Sequence, residues 1–101
     1  MSTSPTEHAR PLAVDVEVSE NTLSVRLADG RTISAPVIWY PRLANGTPKE
    51  RARWELIGSG HGIHWPDLDE DISVDALLNG RRSNEAPSSL KKWLSARQRS
   101  I

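Results

Sequence analysis

"VDVEVSENTLSVRLADGRTISAPV", Val14 to Val37, is the stretch whose reading decides the fold. "VDVEVS" alternates, with Val14, Val16 and Val18 against Asp15 and Glu17. A period of two puts the three valines on one face of a strand. "SEN" is a turn. "TLSVRL" repeats the pattern, with Leu23, Val25 and Leu27 inward and Ser24 and Arg26 outward. Asp29-Gly30 then supplies a hairpin signal, because glycine takes a positive φ without a Cβ clash. "RTISAPV" reads as a third strand with Ile33, Ala35 and Val37 on one face. Pro36 lacks an N–H, so this strand belongs at an edge or ends there. Three antiparallel strands with one apolar face need a cover.

The cover is expected downstream, in "WYPRLANGTPKERARWELI". Tyr40 precedes a proline and avoids the helical region, so Trp39-Tyr40-Pro41 reads as extended and "ANG" as a loop. Thr47-Pro48-Lys49-Glu50 is a compact helix start: Thr47 can accept from the third amide, Pro48 fits the first position, and Glu50 can reach back. This helix is expected to run to Leu56 or Ile57, anchored by Trp54, with Arg51 and Arg53 outward. Gly58, Gly60 and Gly62 make a turn. Ile63-His64-Trp65 reads as a fourth strand ended by Pro66. Ser73 caps a short helix with Asp75 in its first turn, Leu77 and Leu78 inward, and Asn79-Gly80 at its close. "SLKKWLSARQR" is an amphipathic tail helix carrying Leu90, Trp93, Leu94 and Arg97 at helical spacing. The expected layout is a flexible leader over 1–11, a small α+β domain over 12–80, and a basic linker with the tail helix over 81–101.

A chain of 101 residues suits one domain. With 37% hydrophobic and 26% charged residues it reads as globular rather than disordered. No apolar run approaches the about 20 residues of a membrane helix, and the start lacks the apolar core of a secretory signal. The chain has no cysteine, which excludes disulfides and thiolate metal sites. A cytoplasmic protein is expected, with no membrane partner. Net charge is zero but unevenly spread. Asp67, Asp69, Glu70, Asp71 and Asp75 form a carboxylate run without a cation. Arg81, Arg82, Lys91, Lys92, Arg97 and Arg99 face Glu85 alone in the tail.

The stretch "GIHWPDLDEDISV", Gly62 to Val74, is the candidate for chemistry. Asp67, Asp69 and Asp71 match the first, third and fifth positions of a calcium loop. The sixth should be glycine and is Ile72; the twelfth should be an acid and is Leu78. His61 and His64 are three apart, but in a turn and a strand, which does not aim both rings at one zinc. His64 with Asp67 or Asp69 could form an acid–base pair, yet no nucleophile or oxyanion turn accompanies it. The glycine turn lacks the order of a phosphate loop. No metal, cofactor or catalytic residue is therefore expected. Leu68 and Ile72 are read as pointing into the core, with the acids between them in water. The basic tail could track phosphates, but one helix alone is not a helix-turn-helix, and zero net charge argues against a dedicated DNA binder.

The segments "DGRTISAPVIWYPRLANG", "TPKERARWELI" and "GSGHGIHWPDLDEDISVDALLNG" together closely resemble the bacterial family catalogued as domain of unknown function 2442. The resemblance covers Val14 to about Gly80. Its marks are Asp29-Gly30, Trp39-Tyr40-Pro41-Arg42-Leu43, Trp54, and Gly62-Ile63-His64-Trp65-Pro66 followed by Leu68-Asp69-Glu70-Asp71-Ile72. It implies a small α+β fold and no established activity. It also implies two associations: a helix-turn-helix after the module in some relatives, and pairing with another short protein, toxin–antitoxin fashion, in others. The tail here has room for one helix only. The expectation is a non-enzymatic protein-interaction module, antitoxin-like, whose partner is another small bacterial protein, with a homodimer also open. Tyr40, Arg42, His64, Asp67, Asp69, Glu70 and Asp71 are the expected surface. The alternative is a nucleic-acid-associated regulator using Arg81, Arg82, Lys91, Lys92, Arg97 and Arg99.

Overall fold

Two three-stranded antiparallel sheets face a shared core in the computed structural model, which describes residues 11–99. The expected leader, residues 1–10 of it, lies outside the described residues. The first sheet has the order β1 (Ala13–Val18), β2 (Thr22–Leu27) and β3 (Thr32–Pro36). This is the expected meander, with β3 at an edge. The Asp29 carboxylate accepts from the Arg31 backbone N–H at 3.0 Å and closes the β2–β3 hairpin, while Gly30 takes φ +95. Leu23, Val25 and Leu27 are buried, as their alternation demands.

The phase of β1 differs from expectation. A register shift between Ala13 and Asp15 turns Ala13 into the core and leaves Val14 45% exposed. A bulge adds one residue on one strand, and with a period of two that reverses which side chains face inward.

After β3 the chain makes a 3-10 turn, Val37–Trp39, and then α1, Pro41–Ala44. Tyr40, at φ −126 and ψ 88, lies outside the helical region; Pro41 opens the helix, where its missing N–H costs nothing. The helix α2 spans Pro48–Ala52 and carries the expected reciprocal cap of Thr47 and Glu50. It stops well short of Leu56. Glu55–Ile57 instead forms β4, which pairs with β5, Gly62–Trp65. Tertiary pairing outweighs the helical pattern here. Arg51 also turns inward. Its guanidinium donates to the carbonyls of Leu43 and Ala44, both at 2.9 Å, and of Ser19 at 3.1 Å. It thereby ties α2 to α1 and to the β1–β2 turn.

The fourth strand is thus the centre of a second sheet, completed by β6, Glu70–Ser73. Trp65 on β5 is the largest fully buried side chain. An aromatic ring of this kind removes about 150–250 Å² from water, an upper estimate of about 4–6 kcal/mol. Its indole N–H donates to the Arg51 carbonyl at 3.0 Å, so the polar atom is satisfied. Trp54, the expected anchor, is only half-buried at the margin. Gly60 joins the sheets: at φ +104 it lies so close to β1 that a Cβ would sit 2.7 Å from the Ala13 carbonyl oxygen.

Ser73 ends β6 and caps α3, Val74–Leu78, by accepting from the Ala76 N–H at 2.9 Å. Leu77 is buried, but Leu78 is 38% exposed rather than inward, because consecutive residues of a helix lie about 100° apart. The last helix is α4, Pro87–Arg99. Leu90, Trp93, Leu94 and Arg97 are its half-buried residues, matching the expected stripe. Among the described residues no helix is long and apolar enough to cross a membrane.

Candidate functional site

The carboxylate run is not a loose connection but a hairpin. β5 and β6 pair with Gly62 opposite Ser73, Ile63 opposite Ile72, His64 opposite Asp71, and Trp65 opposite Glu70. Residues directly opposite share a face. Ile63, Trp65, Ile72 and Glu70 therefore share the inner face, and His64 and Asp71 the outer one. Leu68, in the connecting turn, is fully buried as expected. Asp69 completes the turn at φ 51, a left-handed conformation that aspartate tolerates better than most residues.

This register corrects the expectation that the acids between Leu68 and Ile72 all stand in water. Asp69 does, at 84% exposure. Glu70 does not: it is half-buried on the Trp65 side. Burial, above all, pushes its carboxyl up to about 7, and the nearby charge of Glu85 adds to that; the Asp71 backbone N–H and Arg42 pull the other way. His64 hydrogen-bonds through Nδ1 to the Asp71 carboxylate, which raises the imidazole above its ordinary value. Asp67 accepts from Arg53 at 2.7 Å on the opposite side of the turn. Among the described residues no three histidine or carboxylate side chains are grouped so as to hold a metal ion.

Beside β6 lies an open basin of about 730 Å³. One wall is the strand itself, Asp69 through Ser73. Ala76 of α3 and Tyr40 contribute to the lining, and the opposite wall is the linker Arg81–Glu85. The linker is fixed by bonds to other elements. The Arg81 N–H donates to the Ala76 carbonyl at 2.9 Å, and the Ser83 N–H to the Trp39 carbonyl at 3.1 Å. The Tyr40 hydroxyl donates to the Arg81 carbonyl at 3.1 Å.

Arg42 closes one end. Its Nε donates to Glu85 at 2.9 Å and its Nη2 at 2.6 Å, while Nη1 donates to the Asp69 carbonyl at 3.1 Å. The paired guanidinium holds the Glu85 carboxyl below its usual range. The same guanidinium lies 5.2 Å from the centre of the Trp93 ring, so the basin and the tail helix share one residue. Arg97, 4.7 Å from that ring, donates to Glu50 at 2.8 and 3.1 Å and draws its carboxyl down to about 2. The tail helix thus docks on α1 and α2 through paired charges and one indole.

Five of the residues singled out from the sequence, Tyr40, Arg42, Asp69, Glu70 and Asp71, line the basin. His64 and Asp67 do not; their pairs lie on the outer face and beyond the turn. Of the basic tail residues, Arg81 and Arg82 line the linker wall. Arg82 also packs 4.8 Å from the Trp39 ring. Lys91 and Lys92 are exposed, Arg97 is tied to Glu50, and Arg99 is described only by its place in the helix. Glu85, Ser73 and Ala76 are not among the expected site residues. Glu85 had one signal, being the sole acid among the tail's cations.

A small α+β domain with a polar basin along a sheet edge is the class that these observations define. The chain belongs to the family described as Protein of unknown function (DUF2442), whose model matches residues 13–83. It is similar to a protein of unknown function from Rhodospirillum rubrum ATCC 11170, known from a crystal structure. That likeness has 27% identity and a TM-score of 0.67 and covers 78% of this chain and 98% of that one. An uncharacterized protein from Chromobacterium violaceum, solved by NMR, shares the fold at 24% identity and a TM-score of 0.65, over 91% of this chain and 79% of that one. None of the curated proteins matches the chain.

Proposed function

We propose that this protein is a non-enzymatic, cytoplasmic protein-interaction module and that the basin is its binding surface. The observation that carries this reading is the gathering of Tyr40, Arg42, Asp69, Glu70 and Asp71 around one open depression. Its lining includes Tyr40 and three arginines, residue types enriched at protein interfaces, beside the main chain of β6. His64, which pairs with Asp71, is not among the residues that line the basin. The finer reading, an antitoxin-like member of a pair with another small bacterial protein, rests on the family resemblance. The nucleic-acid alternative has less support. Arg97 is neutralised by Glu50 and Arg82 is packed against Trp39, so two of its cations are committed to the fold.

The test is capture from native lysate on the immobilised chain, with Arg81→Glu and Asp69→Asn together as the comparison. Asparagine suits the left-handed turn, so the change removes charge with little strain. A protein retained by the wild type and lost by the variant supports the reading. Retention of nucleic acid, or of the same proteins by both, counts against it.

A further inference from the structure

The open side of β6 points to how a partner would bind. In an antiparallel pair, hydrogen-bonded and non-hydrogen-bonded residue pairs alternate. The Val74 N–H donates to the His61 carbonyl at 2.9 Å, in register with the β5–β6 ladder. That bond sets the alternation: Ile72 and Glu70 bond to β5, while the backbone groups of Asp71 and Ser73 point the other way. The other way is the basin, because β6 is an edge of its sheet and all four of its residues line the depression. By that alternation the Asp71 and Ser73 N–H groups have no partner on β5. The half-buried Glu70 carboxyl lies near the Asp71 N–H and occupies this edge from its own chain. The linker, whose backbone bonds to Trp39 and Ala76, lines the same depression. The edge is therefore flanked by other chain rather than offered as a free sheet margin, which suits a single added strand better than a second sheet.

We propose that the basin receives an extended segment of a partner protein, which adds to the second sheet by pairing with the main chain of Asp71 and Ser73. This rests on the basin being the interaction site, and names what enters it. Pairing of this kind takes affinity from main-chain bonds and selectivity from alternate side chains. The carbonyl of the incoming strand replaces the Glu70 carboxyl at the Asp71 N–H. The displaced carboxyl, beside Asp69, then favours a lysine or arginine on the segment.

The experiment uses a display library of random linear octapeptides, selected on the full chain and counter-selected on Ala76→Trp, which fills the basin from α3. The best peptide is then remade with each backbone nitrogen methylated in turn. Strand addition predicts loss of binding, by about tenfold or more, at every second position. It also predicts slowed exchange of the Asp71 and Ser73 amides. Uniform tolerance of methylation, or selection of no peptide that discriminates against Ala76→Trp, overturns it. Failure here alongside a lysate partner lost on the basin variant removes strand pairing and leaves the interaction reading standing.

Discussion

Glu70 is the residue on which the site turns, and its proton can be followed. Its folded value, about 7, lies above the ordinary 4.5. Below pH 4.5 the carboxyl is protonated in both folded and unfolded chains and costs nothing. Between 4.5 and 7 the unfolded chain loses its proton first, so stability falls as pH rises. Above 7 the full penalty applies. At about 1.4 kcal/mol per pH unit this is about 3 kcal/mol, which the open basin reduces to about 1–2 kcal/mol by solvent screening. Glu70→Gln is therefore expected to raise stability by about 1–2 kcal/mol at pH 8 and to leave it unchanged at pH 4. Denaturant titrations at the two pH values check this; an equal effect at both would contradict it. The burial of Glu70 was not legible in the sequence. Leu68 and Ile72 read as inward and are, but a turn of four residues follows Trp65 and the strand resumes with Glu70 opposite it. Only the register shows that an acid occupies the inner face.

At the scale of elements, short-range chemistry was readable and long-range pairing was not. The Thr47–Glu50 cap, the Ser73 cap, the Asp29-Gly30 hairpin and the tail stripe each depend on residues a few positions apart. β4 has three residues and β6 four, and each exists because β5 lies beside it. The tail helix shows the same dependence in a testable form. It supplies no fully buried side chain and is held by Arg42–Glu85 and Arg97–Glu50. A 13-residue helix is marginal alone in water. Arg97→Glu is expected to speed amide exchange in 87–99 about tenfold, and combining it with Glu50→Arg should restore much of the protection. Tail amides are the readout because Glu50 also caps α2. Failure of the double change to recover any protection would show that the pair does not hold the tail. The pH dependence has the opposite sign to that of Glu70. Glu50 is held down to about 2 and Glu85 is lowered, so their contribution is present above 4.5 and lost as pH falls toward 2. Tail protection should survive at pH 4 and fade below it.

At the scale of the whole molecule, β6, α3, the start of α1 and the linker meet around one basin, and the family core ends at its wall, since the matched residues stop at 83. The sequence marked seven of the lining residues, Arg81 and Arg82 among them, without showing that a cavity joined them, because the linker is fixed by bonds from Trp39 and Tyr40 across more than 40 positions of chain. The claim that matters most is that a partner binds in this basin. It is tested most directly by the affinity of a lysate-captured partner for the wild type, for Ala76→Trp, and for Asp67→Asn, whose carboxylate lies outside the basin, with thermal melts confirming that all three fold. The account predicts a dissociation constant weakened about tenfold or more by Ala76→Trp and unchanged by Asp67→Asn. Equal affinity for the wild type and Ala76→Trp would contradict it.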